Sequence, residues 1–120
     1  MLVRAIRGAT TVPENTKEAI LEGARELLTE IINNNEIKIS DLISIIFTMT
    51  NDLNAVFPAV AAREMGLNDV PLMCSKEIDV PGSLRSCVRV LVHTNTDKAN
   101  SEIKHIYLKG AAVLRPDLAK

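Results

Sequence analysis

The ten-residue segment "DLISIIFTMT" at 41–50 restricts the possible folds of this chain more than any other. Its apolar residues fall on both alternating positions, so a strand formed here would be apolar on both faces. Its isoleucines are β-branched, which favours strands. An apolar run of this length therefore predicts a central strand of a sheet.

One amphipathic helix is predicted at 15–33. Its apolar stripe follows three- and four-residue spacing and contains Ile20, Ala24, Leu27, Leu28 and Ile31. Asn15 or Thr16 can cap its N-terminus, and Glu18 stands three residues after Asn15 as in a capping box. The asparagines at 33–35 are expected to end it.

The other segments predict four more strands and one short helix. Strands are expected at 2–7, 70–75, 84–94 and 103–108, and a helix is expected from about Pro58 to a cap at Gly66. Residues 8–15 are expected to form a loop, and 97–102 a helical turn. The order β-α-β-α-β-β-(α)-β over residues 1–120 predicts one domain of the α/β (α+β) class, a mixed β-sheet with helices packed on one face.

The segment "CVRVLVHT" at 87–94 places Arg89 inside an apolar strand. Three valines alternate with it and are expected to face the helices: Val88, Val90 and Val92. Arg89 would then point to the opposite face, together with Arg7 and Tyr107. A second copy of the chain could cover that face, so we expect a homo-oligomer.

Charge and composition exclude several classes of function. The net charge is −1 and aromatic residues make up 2 %, which argues against binding to nucleic acid. No segment reaches the roughly 20 apolar residues that span a bilayer. The first twelve residues contain two arginines and do not resemble a signal peptide. We therefore expect no membrane contact and a cytoplasmic location.

Common catalytic motifs do not occur in the sequence. It contains no G-x-G-x-x-G, P-loop or G-x-S-x-G motif, and its two histidines stand alone. No cofactor or metal site is therefore predicted. Cys74 and Cys87 are interpreted as reduced thiols in strands rather than as nucleophiles.

Five of the seven arginines stand in unusual places, within apolar strands, in the short helix or before Pro116: Arg4, Arg7, Arg63, Arg89 and Arg115. Each alone is compatible with a structural ion pair or a partly buried stem. Gathered on strand faces, they would form a positive pocket, and guanidinium groups bind carboxylates bidentately. The sequence thus predicts a small substrate with two carboxylates. Glu77 could be either an ion-pair partner or an acceptor for a substrate hydroxyl.

Five segments together resemble the monofunctional chorismate mutases of the trimeric α/β class. They are "IRGATTV" (6–12), "DLNAVFPAVAARE" (52–64), "VPLMCSKEIDV" (70–80), "CVRVLV" (87–92) and "HIYLKGAAVLRPDL" (105–118). The resemblance implies a trimeric pseudo-α/β-barrel with active sites in clefts between subunits. It also implies isomerisation of chorismate to prephenate, a Claisen-type rearrangement of aromatic amino-acid biosynthesis, without a cofactor.

The resemblance also implies roles for individual residues. Arg7 would hold a substrate carboxylate, Arg89 would reach the ether oxygen, and Glu77 would accept a hydrogen bond from the ring hydroxyl. Tyr107 would help to hold the side-chain carboxylate. The other implied substrate-binding residues are Phe57, Ala59, Arg63, Met73, Cys74, Ser75, Lys76, Leu114 and Arg115. Of these, Phe57, Ala59 and Arg63 would come from the neighbouring subunit.

The chain departs from the family pattern at the rim of this site. Val60 stands where members can carry a lysine, and few residues follow the "VLRPDL" string. Two other interpretations stay open at this point. Trimeric imine-hydrolysing deaminases have a similar barrel and an arginine in an intersubunit cleft, and a trimeric carboxylate-binding module without activity would need the same pocket.

Overall fold

A computed structural model describes residues 1–117 and contains one five-stranded mixed sheet. Its strands are β1 Leu2–Thr11, β2 Leu42–Met49, β3 Leu72–Lys76, β4 Cys87–Thr96 and β5 Ile106–Tyr107. Its α-helices are α1 Lys17–Asn34 and α2 Ala59–Glu64, and short 3₁₀ helices span Ile39–Asp41, Asn100–Glu102 and Lys109–Leu114. Leu118, the last residue of the "VLRPDL" string, lies outside the described residues.

The strand order is β3-β2-β4-β1-β5. β4 pairs antiparallel with β1 and β2, whereas the β2–β3 and β1–β5 pairs are parallel. β2 lies between β3 and β4, which confirms the prediction of an interior strand. The mixed sheet and the α+β class are also as predicted.

The main core lies between the sheet and α1. Alternate strand residues point into it, including Ile6 of β1, Phe47 of β2 and Val92 of β4, all essentially fully buried. They meet Leu27 and Ile31 on the predicted stripe of α1. The valines of β4 face the helices, as the sequence predicted, so their neighbours in the strand face the other side of the sheet.

Side-chain hydrogen bonds fix both ends of α1. Thr16 is the N-cap, and its hydroxyl accepts a hydrogen bond from the N–H of Ala19 at 3.1 Å. Asn15 instead donates to Asn54 at 2.8 Å, so the expected capping box at Asn15 does not form. Asn35 ends the helix, and its amide donates to the carbonyl of Ile31 at 2.9 Å.

Several predicted boundaries were wrong. β1 continues through residues 8–11, which were expected to form a loop, because each of them pairs with a residue of β4. The strand expected at 84–94 begins at Cys87 and runs to Thr96, and the one at 103–108 shortens to Ile106–Tyr107. The 3₁₀ helix Lys109–Leu114 was not predicted, because six residues are too few to show an amphipathic repeat.

Candidate active site

A cleft of about 340 Å³ opens on the sheet face opposite α1. Four adjacent strands, β2, β4, β1 and β5, and the segment after β3 form it. The residues with chemistry to offer are Arg7, Thr48, Glu77, Arg89 and Tyr107. The structure thus brings together four residues that the sequence placed in the site, and it adds Thr48.

Glu77 joins two strands at the centre of this cleft. Thr48 on β2 lies directly opposite Arg89 on β4. The Nη1 of Arg89 lies 3.3 Å from Oε1 of Glu77, and the hydroxyl of Thr48 donates to Oε2. The backbone N–H of Glu77 also donates to the carbonyl of Met49 at 3.0 Å. The carboxylate is therefore held in place from two strands.

The Arg89–Glu77 pair is partly open to solvent. The exposed fraction is 39 % for the Arg89 side chain and 25 % for that of Glu77, so both charged groups keep contact with water. A guanidinium carries several N–H donors, so Arg89 can contact Glu77 and still donate to a bound anion. The pair fits both roles that the sequence left open for Glu77.

Arg7 and Tyr107 complete the charged side of the cleft. In the pairing of β1 with β4, Arg7 lies opposite Leu91, and Ala9, which shares its face, lies opposite Arg89. Tyr107 pairs with Ala9 from the other side and is almost fully buried. The two arginines therefore lie on one face of adjacent strands, as the sequence suggested, and are suited to bind two carboxylates.

The segment after β5 borders the same cleft. Leu114 lines a small adjoining cavity of about 50 Å³ with Glu77 and Arg89. Arg115 forms a two-point ion pair with Asp117, with Nε–Oδ1 at 3.1 Å and Nη2–Oδ2 at 2.8 Å. This contact lowers the pKa of the Asp117 carboxyl below its usual range. Arg115 therefore already has a carboxylate partner within its own chain.

The remaining predicted residues lie elsewhere on the chain. A separate cavity of about 560 Å³ is lined by Phe57, Cys74, Ser75 and Lys76, among others. Met73 and Arg63 are exposed, whereas Ala59 is buried in the core. One chain therefore does not bring the two groups of residues into one cleft.

Both cysteines are free thiols. Cys74 lies opposite Phe47 in the sheet and packs partly against the main core. Cys87 is buried, and this burial raises the pKa of its thiol to about 11. A protonated, enclosed thiol is a poor nucleophile, in agreement with the interpretation from the sequence.

Within residues 1–117 no group of histidine, cysteine, aspartate and glutamate side chains is arranged to hold a metal ion. In the same part of the chain, no helix is long and apolar enough to cross a bilayer.

Together, the mixed sheet and the two arginines on one of its faces define an α+β protein with a cleft for a small anion. The family model described as chorismate mutase type I matches residues 3–118. This chain belongs to that family. The family, the fold class and the isomerisation of chorismate to prephenate predicted from the sequence are thereby confirmed.

Individual relatives agree with this assignment. The chain is 46 % identical over 120 residues to chorismate mutase AroH of Bacillus subtilis (strain 168), covering 99 % of this chain and 94 % of that protein. It is 48 % identical over 118 residues to chorismate mutase AroH of Thermus thermophilus, with coverage of 98 % and 97 %. The solved structure of a chorismate mutase from Clostridium thermocellum superposes with a TM-score of 0.91 at 55 % identity, covering 92 % of this chain and 98 % of that one.

Proposed function

We propose that chorismate is rearranged in the cleft formed by Arg7, Glu77, Arg89 and Tyr107. The observation that carries this proposal is the joint contact of Thr48 and Arg89 with Glu77. It holds a cation on a rigid strand beside a hydrogen-bond acceptor that two strands fix in place, as a substrate with an ether oxygen and a ring hydroxyl requires.

A pericyclic rearrangement needs neither a nucleophile nor a proton transfer. The protein has to hold a flexible dianion in its folded, reactive shape, which is a proximity effect. As the C–O bond lengthens, negative charge gathers on the ether oxygen. A fixed guanidinium beside that oxygen binds the transition state more tightly than the substrate, and this difference lowers the barrier.

The cleft residues divide this task. Arg89 would donate hydrogen bonds to the ether oxygen and to a nearby carboxylate. Glu77 would keep Arg89 in place and accept a hydrogen bond from the ring hydroxyl. Arg7 would bind a carboxylate with support from Tyr107. Leu114 and Arg115 would border the cleft from the last described segment.

A neighbouring subunit would complete each site in a homotrimer. The face that carries the cleft is uncovered in one chain, and Phe57 is 69 % exposed on a different surface. Docking of one surface on the other would bring the exposed Phe57 and Arg63 to the cleft. Cys74, Ser75 and Lys76 line the same cavity as Phe57, so they would come from the neighbouring subunit as well, although the resemblance assigns only Phe57, Ala59 and Arg63 to it. The trimer, the intersubunit site and the cytoplasmic location remain predictions.

The substitution Arg89→Ala tests the mechanism. We expect loss of at least roughly 10³-fold in turnover, because one neutral preorganised donor contributes about 2.7–4 kcal/mol, or roughly 10²- to 10³-fold, and a charged donor contributes more. Chorismate loss is followed by ultraviolet absorbance with purified protein and no additives. Circular dichroism is expected to match the wild type, because Arg89 is partly exposed.

Arg85→Ala is the matched control, since Arg85 is an exposed arginine just before β4 and outside the proposed site. We expect it to keep wild-type turnover. If Arg89→Ala also kept near wild-type turnover, the role assigned to Arg89 would be wrong.

A further inference from the structure

His105 makes a side-chain contact with the backbone of β1. Its Nδ1 accepts a hydrogen bond from the backbone N–H of Arg7, with a distance of 2.9 Å. β5 pairs with β1 only at Gly8–Ile106 and Ala9–Tyr107, so the short strand ends before it reaches Arg7. The imidazole thus extends the hydrogen bonding between β1 and β5 by one residue.

The backbone around His105 is fixed on both sides. On one side, the buried Asn35 at the end of α1 accepts from the N–H of Lys104 at 2.8 Å and donates to its carbonyl at 2.9 Å. On the other side, Ile106 and Tyr107 pair with β1. Because both neighbours are held, the imidazole has a defined position relative to Arg7.

This contact requires a neutral imidazole. Nδ1 can accept a hydrogen bond only if the proton is on Nε2, and a doubly protonated ring has no acceptor. The surroundings favour the neutral form. Burial is the main cause of the lowered pKa of His105, and the charges of Arg7 on β1 and Arg115 after the last 3₁₀ helix add to it. Lys104 precedes His105 in the chain, and Arg115 is itself paired with Asp117.

We propose that His105 is a positioning residue for Arg7: its neutral ring holds the Arg7 backbone and thereby directs the guanidinium toward the substrate carboxylate. This inference rests on the proposed role of Arg7. His105 itself contacts no reacting atom. Its protonation would remove the acceptor and add a third positive charge beside Arg7 and Arg115.

The inference predicts a separation of KM from kcat. Arg7 would grip a carboxylate equally in the ground state and in the transition state, so a misplaced Arg7 raises KM and leaves kcat nearly unchanged. Because the pKa is lowered from its ordinary value of 6.5, the rise in KM occurs as the pH falls below that value. Loss of the contact is expected to raise KM on the order of 10-fold.

Two isosteric variants test this prediction. His105→Asn places an amide oxygen where Nδ1 stands and does not titrate, whereas His105→Gln places its amide near the Nε2 position. Both kinetic constants are measured from pH 5 to pH 8. We expect His105→Asn to keep the wild-type KM at pH 8 and to lose the rise at low pH, and His105→Gln to show a high KM throughout. A KM for His105→Gln equal to that of the wild type at every pH would overturn the proposal.

Nuclear magnetic resonance tests the contact without activity. In ¹⁵N-labelled wild-type protein, the amide shift of Arg7 is expected to follow the titration of the His105 ring, and in His105→Asn it is expected to stay flat. If the amide shift of Arg7 does not change as the His105 ring titrates, the inference is overturned and the Arg89 mechanism is unaffected. If the amide follows the titration but Arg7→Ala keeps a wild-type KM, the proposed role of Arg7 in substrate binding is wrong instead.

Discussion

Glu77 has two partners in the free cleft, and both bear on catalysis. Its carboxylate accepts from Thr48 and from Arg89, so it orients the guanidinium as well as offering an acceptor to a substrate hydroxyl. Removing it would free Arg89 to adopt other rotamers and would leave the hydroxyl without a partner. A single substitution would therefore affect both positioning and binding.

We expect Glu77→Ala to raise KM and lower turnover. Hydrogen bonds to charged groups contribute about 1.5–3 kcal/mol, so kcat/KM is expected to fall roughly 10- to 100-fold. Steady-state kinetics measure both constants. Glu22→Ala on the exposed side of α1 is a matched control with no expected effect. Kinetics of Glu77→Ala equal to those of the wild type would reduce Glu77 to a structural partner.

Residue types and alternation predicted much of the cleft. Arg7 and Arg89 were identified as site residues because a charged residue inside an apolar strand requires a partner or a function. The alternation of side chains along each strand then predicted which face of the sheet they occupy. Thr48 and His105 gave no such signal. Threonine is common in strands, and the contact of Thr48 depends on the register between β2 and β4, which a single sequence does not display.

At the level of whole elements, one glycine determines how closely α1 approaches the sheet. A Cβ on Gly8 would lie 2.7 Å from Cδ1 of Ile31 and 3.1 Å from Cδ1 of Leu27. Those distances are shorter than normal carbon–carbon contacts, so the side chains of α1 occupy the space above Gly8. β1 then carries Arg7 on one face while α1 packs tightly on the other.

We expect Gly8→Ala to destabilise the fold by about 1–3 kcal/mol, the usual cost of overpacking a core. Urea unfolding of the variant and the wild type measures this difference. The double variant Gly8→Ala with Ile31→Val removes the methyl group that the new Cβ would meet. It is expected to lose less free energy of unfolding than the sum of the two single variants. Strict additivity would contradict this account of the contact.

The boundaries of the elements were harder to predict than their order. Gly8 and Pro13 stand at either end of the segment 8–13, and both residue types are common in turns, so local preference alone favours a loop there. Ten paired residues between β1 and β4 override that preference. The opposite occurred near the C-terminus, where "IKHIYL" alternates well but only two of its residues find a partner strand.

In the complete molecule, the proposed sharing of sites between subunits can be tested by mixing two variants. Arg89→Ala damages the half of the cleft on one chain, and Phe57→Asp is designed to damage the half that its neighbour would supply. Phe57 is exposed in the isolated chain, so this change is not expected to disturb the fold. Each variant alone is expected to be nearly inactive.

Mixed trimers of the two variants are expected to regain activity. In a closed ring with random 1:1 mixing, about a quarter of the sites would combine two intact halves. The two variants are unfolded together, refolded and assayed, and native mass spectrometry confirms trimers at three times the 13.1 kDa of one chain. Hybrid trimers without recovered activity would contradict the shared site, and a monomeric wild type would contradict the trimer.

The alternation along β4 has a consequence for how this family can change over time. The core valines and Arg89 alternate along one uninterrupted ten-residue strand, so they lie on opposite faces of the sheet. An insertion or deletion of one residue there would move the guanidinium into the hydrocarbon core and the valines into the cleft. Stability and chemistry would then fail together, so we expect the protein to tolerate substitutions in this strand better than a one-residue change in its length.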